Sequence, residues 1–147
     1  MKNIKNLFKP KDLTNNTSPK IKMSELISAY ASDYINMGED TEERQNYLNG
    51  ACTAWNIAIL DENQREGALC KAIEQYKRTN PGADDVDNFE HDLRTLIQKK
   101  LEMFPDIRKI IIDAVIVPVN ETQYRVNIAS TDDQETLKKI FKKDSSL

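Results

Sequence analysis

The sequence predicts an α+β fold, an antiparallel bundle of four helices followed by a β-hairpin and a short C-terminal helix. Three observations carry this. Apolar residues recur at three- and four-residue steps in successive segments between about residues 24 and 103. From about residue 109 the pattern changes to β-branched runs and two-residue alternation. Glycine is scarce, four in 147 residues, well under the roughly 7% usual in proteins, which disfavours a turn-rich sandwich or barrel. A chain of this length ordinarily makes one domain, so residues 23–147 are expected to fold as a unit behind a lysine-rich arm at 1–22.

Charge marks the arm. Residues 1–22 hold six lysines against Asp12, a charge of +5, while the other 125 residues carry -8, giving the net -3 of the whole chain. Pro10, Pro19 and the run Thr14-Asn15-Asn16-Thr17-Ser18 leave this segment too little apolar content to order itself by burial. Lys2, Lys5, Lys9 and Lys11 suit contact with nucleic acid or another anionic surface, where each lysine near a phosphate releases counterions. The arm has no arginine and no stacking aromatic beyond Phe8, so the simpler uses are a solubilising tail or a segment folding back on the acidic body.

The first helix is expected at about 24–37, with Leu26, Ile27, Tyr30, Tyr34 and Met37 inward and Gly38 as a left-handed cap. The second, about 41–60, opens on Asp40-Thr41-Glu42-Glu43, where Asp40 can accept from the amide three residues on and Glu43 can reach back. Its stripe runs through Tyr47 or Leu48, Ala51, Cys52, Trp55, Ala58 and Ile59. Ala54 and Ile57 lie off that stripe, so the helix is apolar on more than one side and belongs at the centre. The third, about 62–79, repeats the start signal at Asp61-Glu62-Asn63-Gln64 and buries Ala68, Leu69, Ala72, Ile73 and Tyr76 before stopping at Asn80-Pro81-Gly82. Gly50 and Gly67 stand inside these helices at about 1 kcal/mol each relative to alanine, which points to close backbone approach. The fourth, about 85–103, opens at Asp84 or Asp85, turns Val86, Phe89, Leu93, Leu96, Ile97 and Leu101 inward and closes at Phe104-Pro105.

The spacing Ala68-x3-Ala72-x3-Tyr76-x4-Pro81 resembles the second helix of a tetratricopeptide repeat. No second copy stands ~34 residues away, and such repeats need about three copies to share a core. The sequence therefore reads as small residues in a helical hairpin.

The β-hairpin, about 109–130, pairs the run Ile110-Ile111-Ile112 through Val119 with Tyr124, Val126 and Ile128, which alternate with Arg125 and Asn127 across a turn at Asn120-Glu121-Thr122. A helix at about 132–143 follows, with Leu137, Ile140 and Phe141 on one stripe. The strand around Val115 has the apolar content of a strand flanked on both sides, yet the chain offers one neighbour. Open hairpin edges invite another strand, so Val115, Val117 and Tyr124 form a candidate interface with a second copy or a protein partner.

Few residues point to chemistry. The glycines stand too far apart for a nucleotide-cradling loop, and a lone histidine excludes any site that needs two imidazoles from one chain. Asp84, Asp87 and His91 fall at i, i+3 and i+7, a spacing that offers three ligands to a divalent metal, although acids at a helix start also match its dipole. Asp113 interrupts the isoleucine-rich strand and is expected to point outward or to pair with Arg125. Cys52 and Cys70 are both expected as buried free thiols, and neither has a histidine base within reach. No run reaches the ~18 apolar residues of a spanning helix. The expectation is a cytoplasmic, non-enzymatic protein-interaction or regulatory module with no cofactor and no membrane insertion. The alternatives are a nucleic-acid-associated protein using its arm, and a small enzyme with a carboxylate-based metal site.

Overall fold

The computed structural model describes residues 22–145, with side-chain environments as far as Phe141. Lys2, Lys5, Lys9 and Lys11 lie outside the described residues. Helices α1 (Met23–Ile35), α2 (Thr41–Ile59), α3 (Glu62–Thr79) and α4 (Val86–Met103) precede strands β1 (Ile110–Pro118) and β2 (Tyr124–Thr131), and α5 (Gln134–Ser145) ends the series. Among the described residues no helix is long and apolar enough to cross a membrane.

Helix α2 is the axis of the bundle, packing against α1, α3, α4 and β1. Every residue from Ala54 to Leu60 is buried, which is why no single apolar stripe describes this helix. Asp40 starts it as expected, accepting from the Glu43 amide at 2.8 Å, while the Glu43 carboxylate reaches back to the Glu39 amide at 2.7 Å. The turn before it differs from expectation. Helix α1 stops at Ile35, Met37 is 60% exposed, and the glycine with positive φ among the described residues is Gly82, at +82°. Gly38 is instead required by space, since a Cβ there would sit 2.7 Å from the Arg44 backbone nitrogen.

Trp55, fully buried, is the hub of the core. Tyr30 meets its ring edge-on at 5.1 Å and Phe104 lies at 5.8 Å. The Tyr30 hydroxyl shares its proton between the Leu96 carbonyl, 3.0 Å away, and the Ala51 carbonyl at 3.3 Å. Burial raises the Tyr30 phenol above its ordinary range, so it stays a neutral donor. Lys100 is buried too. Its ammonium donates to the carbonyls of Phe104 (2.7 Å) and Ile107 (2.6 Å) and lies 4.8 Å from the Trp55 ring centre. Charge, carbonyls and ring together close the C-terminus of α4. Burial nevertheless pulls Lys100 down to about 8.

Helix α3 is held more loosely, burying Ala68, Leu69 and Ile73. Arg94 of α4 ties it down through Glu66 at 2.6 Å while bonding Glu90 one turn back at 2.9 Å. Cys70 is exposed, not a core thiol: it stands about 200° round the helix from Ala68. A methyl group at Gly67 would meet no atom within 4 Å, so close approach does not explain this glycine.

The two strands pair antiparallel, with Ile116 opposite Val126 and Ala114 opposite Ile128. A bulge between Ile111 and Asp113 shifts the register. This extra residue reverses the alternation, so that Ile111 and Ile116 are both buried although five positions apart. Contiguous isoleucines therefore do not mean a strand covered on both faces: Ile112 is 52% exposed and Val115 41%.

The second flank of β1 is occupied by side chains of α2. The Asn56 carboxamide accepts from the Ile111 N–H and donates to the Ile111 carbonyl, both at 2.9 Å. Gln45 accepts from the Ile116 N–H at 2.8 Å and donates to the Ala114 carbonyl at 2.9 Å. The Trp55 indole N–H donates to the Lys109 carbonyl at 2.8 Å. Two carboxamides thus imitate a neighbouring strand, and the β1 edge is not open as its sequence suggests.

Candidate functional site

A cleft of about 910 Å³ runs along α2 between α3, the start of α4, β1 and α5. Its aromatic end is built from four helices. Tyr34 closes α1, Tyr47 rises from α2, Tyr76 comes from the last turn of α3, and Phe89 from the first turn of α4. They converge over Gly50, whose missing side chain leaves the Tyr34 ring 3.6 Å and the Phe89 ring 3.9 Å from the position a Cβ would take. Tyr34 and Tyr47 meet edge-on at 4.7 Å, while Tyr76 stacks on Phe89 at 4.1 Å with planes 11° apart.

Carboxylates surround these rings. Both Asp85 oxygens lie 2.9 Å from the Tyr76 hydroxyl, so Asp85 holds a phenol and makes no side-chain cap to α4. Burial first, then the hydrogen bond to Asp85 and its charge, push Tyr76 up to about 12. Burial also raises Tyr34, reinforced by the charge of Asp92. Each phenol therefore stays neutral and protonated beside a carboxyl group. With Glu43 and Asp113, four carboxylates line the cleft, and among the described residues no lysine, arginine or histidine lines it. The carboxamides of Asn46, Asn49, Gln75 and Asn88 line the cleft as well.

The cleft is suited to binding more than to covalent chemistry. Its one thiol, Cys52, is buried and pushed up to about 12, so it is protonated and unreactive near neutrality. His91 is exposed and does not line the cleft.

Of the residues singled out in the sequence for chemistry, Asp113 reaches the cleft, while the Asp84, Asp87 and His91 set lies elsewhere. Asp84, Asp87 and His91 are all exposed, and among the described residues no three histidine, cysteine, aspartate or glutamate side chains gather as a metal site. Asp113 is exposed on the cleft rim, opposite Ala129, and Arg125 faces Val117, so the two are not cross-strand partners. Val115 and Val117 lie on the outer face of the sheet beside the closed β1 edge. Tyr124 turns the other way: its hydroxyl donates to Asn36 at 2.6 Å, and the Arg44 guanidinium lies 5.3 Å from its ring centre. Sequence reasoning placed Tyr34, Tyr76 and Phe89 in the core and assigned Asp85 to helix capping. The signal that marked the place was Gly50, a costly residue in the middle of a helix.

Comparison of the chain with protein-family models, curated proteins and solved structures finds no match.

Proposed function

We propose that this protein is a non-enzymatic interaction module whose cleft receives a lysine- or arginine-bearing segment of a partner protein. One observation carries the reading: Glu43, Asp85, Asp92 and Asp113 line a single cleft with five aromatic side chains, and among the described residues no basic one joins them. A cation entering it gains attraction from several carboxylates and from ring faces, each contact worth about 0.5–1 kcal/mol at an exposed site. The -8 carried by residues 23–147 favours the encounter at longer range. The same lining repels phosphate, so nucleic acid is not an occupant of this cleft.

Isotope-labelled protein titrated with short lysine- and arginine-containing peptides tests this. The expected result is salt-sensitive binding with shifts centred on Gly50, Tyr76 and Phe89, weakened roughly tenfold when Asp85 and Asp92 are both replaced by asparagine. Equal response to an acidic peptide, or an affinity untouched by the double replacement, would overturn it.

A further inference from the structure

The two edges of the hairpin are not equivalent. The Ile116 N–H and the Ala114 carbonyl turn away from β2 to reach Gln45. Residues opposite each other in an antiparallel ladder share that sense, so Val126 and Ile128 turn their backbone groups away from β1, out along the far edge of β2. Among the described residues no hydrogen bond meets these groups. Their side chains point to the core, with Val126 8% exposed and Ile128 packed against it.

We propose that this edge pairs with the same edge of a second copy, antiparallel about a two-fold axis at Asn127. The register follows from three constraints. Outward-turned residues must face outward-turned residues, which sets Val126 opposite Ile128 of the second copy and Asn127 opposite itself. This alignment engages β2 along nearly its whole length and continues the apolar inner face across the axis. Arg125 is the one charged residue of β2, and here it faces Ala129 of the second copy and never its own equivalent. The result is a four-stranded sheet in the order β1, β2, β2, β1. Its outer edges are the β1 edges, both closed by Gln45 and Asn56, so pairing ends at two copies instead of running on into a fibre. The cleft lies on the β1 side of the hairpin, and this proposal does not depend on it.

Sedimentation across micromolar to sub-millimolar concentrations, joined to cysteine cross-linking, tests the register. In a Cys70→Ser background, Asn127→Cys should oxidise to a covalent dimer, because a non-hydrogen-bonded pair sets its Cα atoms about 4.5 Å apart, within disulfide range. Ala129→Cys, displaced along the partner strand, should not. Asn127→Lys, exposed in the monomer, should raise the dimer dissociation constant roughly tenfold or more by setting like charges opposite each other. A chain that sediments as a monomer throughout would overturn the proposal. So would a dimer that ignores Asn127→Lys and leaves Asn127→Cys no better cross-linked than Ala129→Cys.

Discussion

Replacing Asn56 by alanine removes the side chain that holds both backbone groups of Ile111. Asn56 is 6% exposed and Ile111 5%, so the orphaned N–H and carbonyl have little access to bulk water. A buried polar group left without a partner costs about 1–3 kcal/mol. Two such groups set the loss at roughly 2–6 kcal/mol, its lower part reached if a water enters from the cleft that Asn56 borders. That is a large share of the ~5–15 kcal/mol that stabilises a typical domain. Gln45 makes the matching pair of bonds higher on β1 but is only half-buried, so Gln45→Ala exchanges protein bonds for water and should cost about 1 kcal/mol. Asn56→Asp keeps the acceptor but sets a carboxylate against the Ile111 carbonyl, so it should lose more stability at neutral pH than at low pH, where the acid is protonated and can donate. Urea unfolding followed by the emission of Trp55, the single tryptophan of the chain, reads all three. An Asn56→Ala protein within about 0.5 kcal/mol of wild type, or one less affected than Gln45→Ala, would refute the idea that carboxamides carry the β1 edge.

Lys100 supplies a pH signature. Its folded value of about 8 lies below the ordinary 10.5. The unfolded chain therefore binds more protons between those values, and stability should climb as pH rises from 8 toward 9, by about 1 kcal/mol, before the raised Cys52 thiol begins to offset it. Above about 10 the raised phenols of Tyr30, Tyr34 and Tyr76 act in the opposite sense, because the unfolded chain then loses protons first. Urea midpoints between pH 8 and 9 should rise in wild type and fall slightly in Lys100→Met, where the Cys52 thiol is the shifted group left to titrate. Gly38→Ala forces a methyl against the Arg44 backbone and should destabilise by about 1–3 kcal/mol, whereas Gly67→Ala adds one on an exposed helix face with room for it and should stabilise by about 0.5–1 kcal/mol; a melting temperature that does not fall in the first, or does not rise in the second, contradicts the corresponding reading. One thiol, Cys70, should react promptly with a disulfide reagent, and Cys52 should do so only on unfolding. Two fast thiols would show that the α2 core is open.

The elements were legible because each is written locally. All four bundle helices and the hairpin begin and end within two residues of the positions their periodicity predicts. What escaped was polar residues serving the interior. Lys100 lies four residues after Leu96 and seven after Leu93, so its spacing had already placed it on the buried face, and only its charge argued otherwise. Asn56 sits on a helix buried all round, where no stripe distinguishes it. The bulge at Ile112 hid the alternation of β1, making a half-exposed strand read as a covered one. The cleft was beyond reach for a different reason: Tyr34, Tyr47, Tyr76 and Phe89 belong to four helices, and no periodicity within one helix reports where its end meets another.

The ammonium resting over Trp55 gives the molecule an optical gauge of its own interior. An indole with a positive charge against its face emits at a different energy from one without, so the colour of the native fluorescence should change as Lys100 sheds its proton. Ordinary titration of intact protein then follows a single buried side chain, with no label attached and no unfolding required.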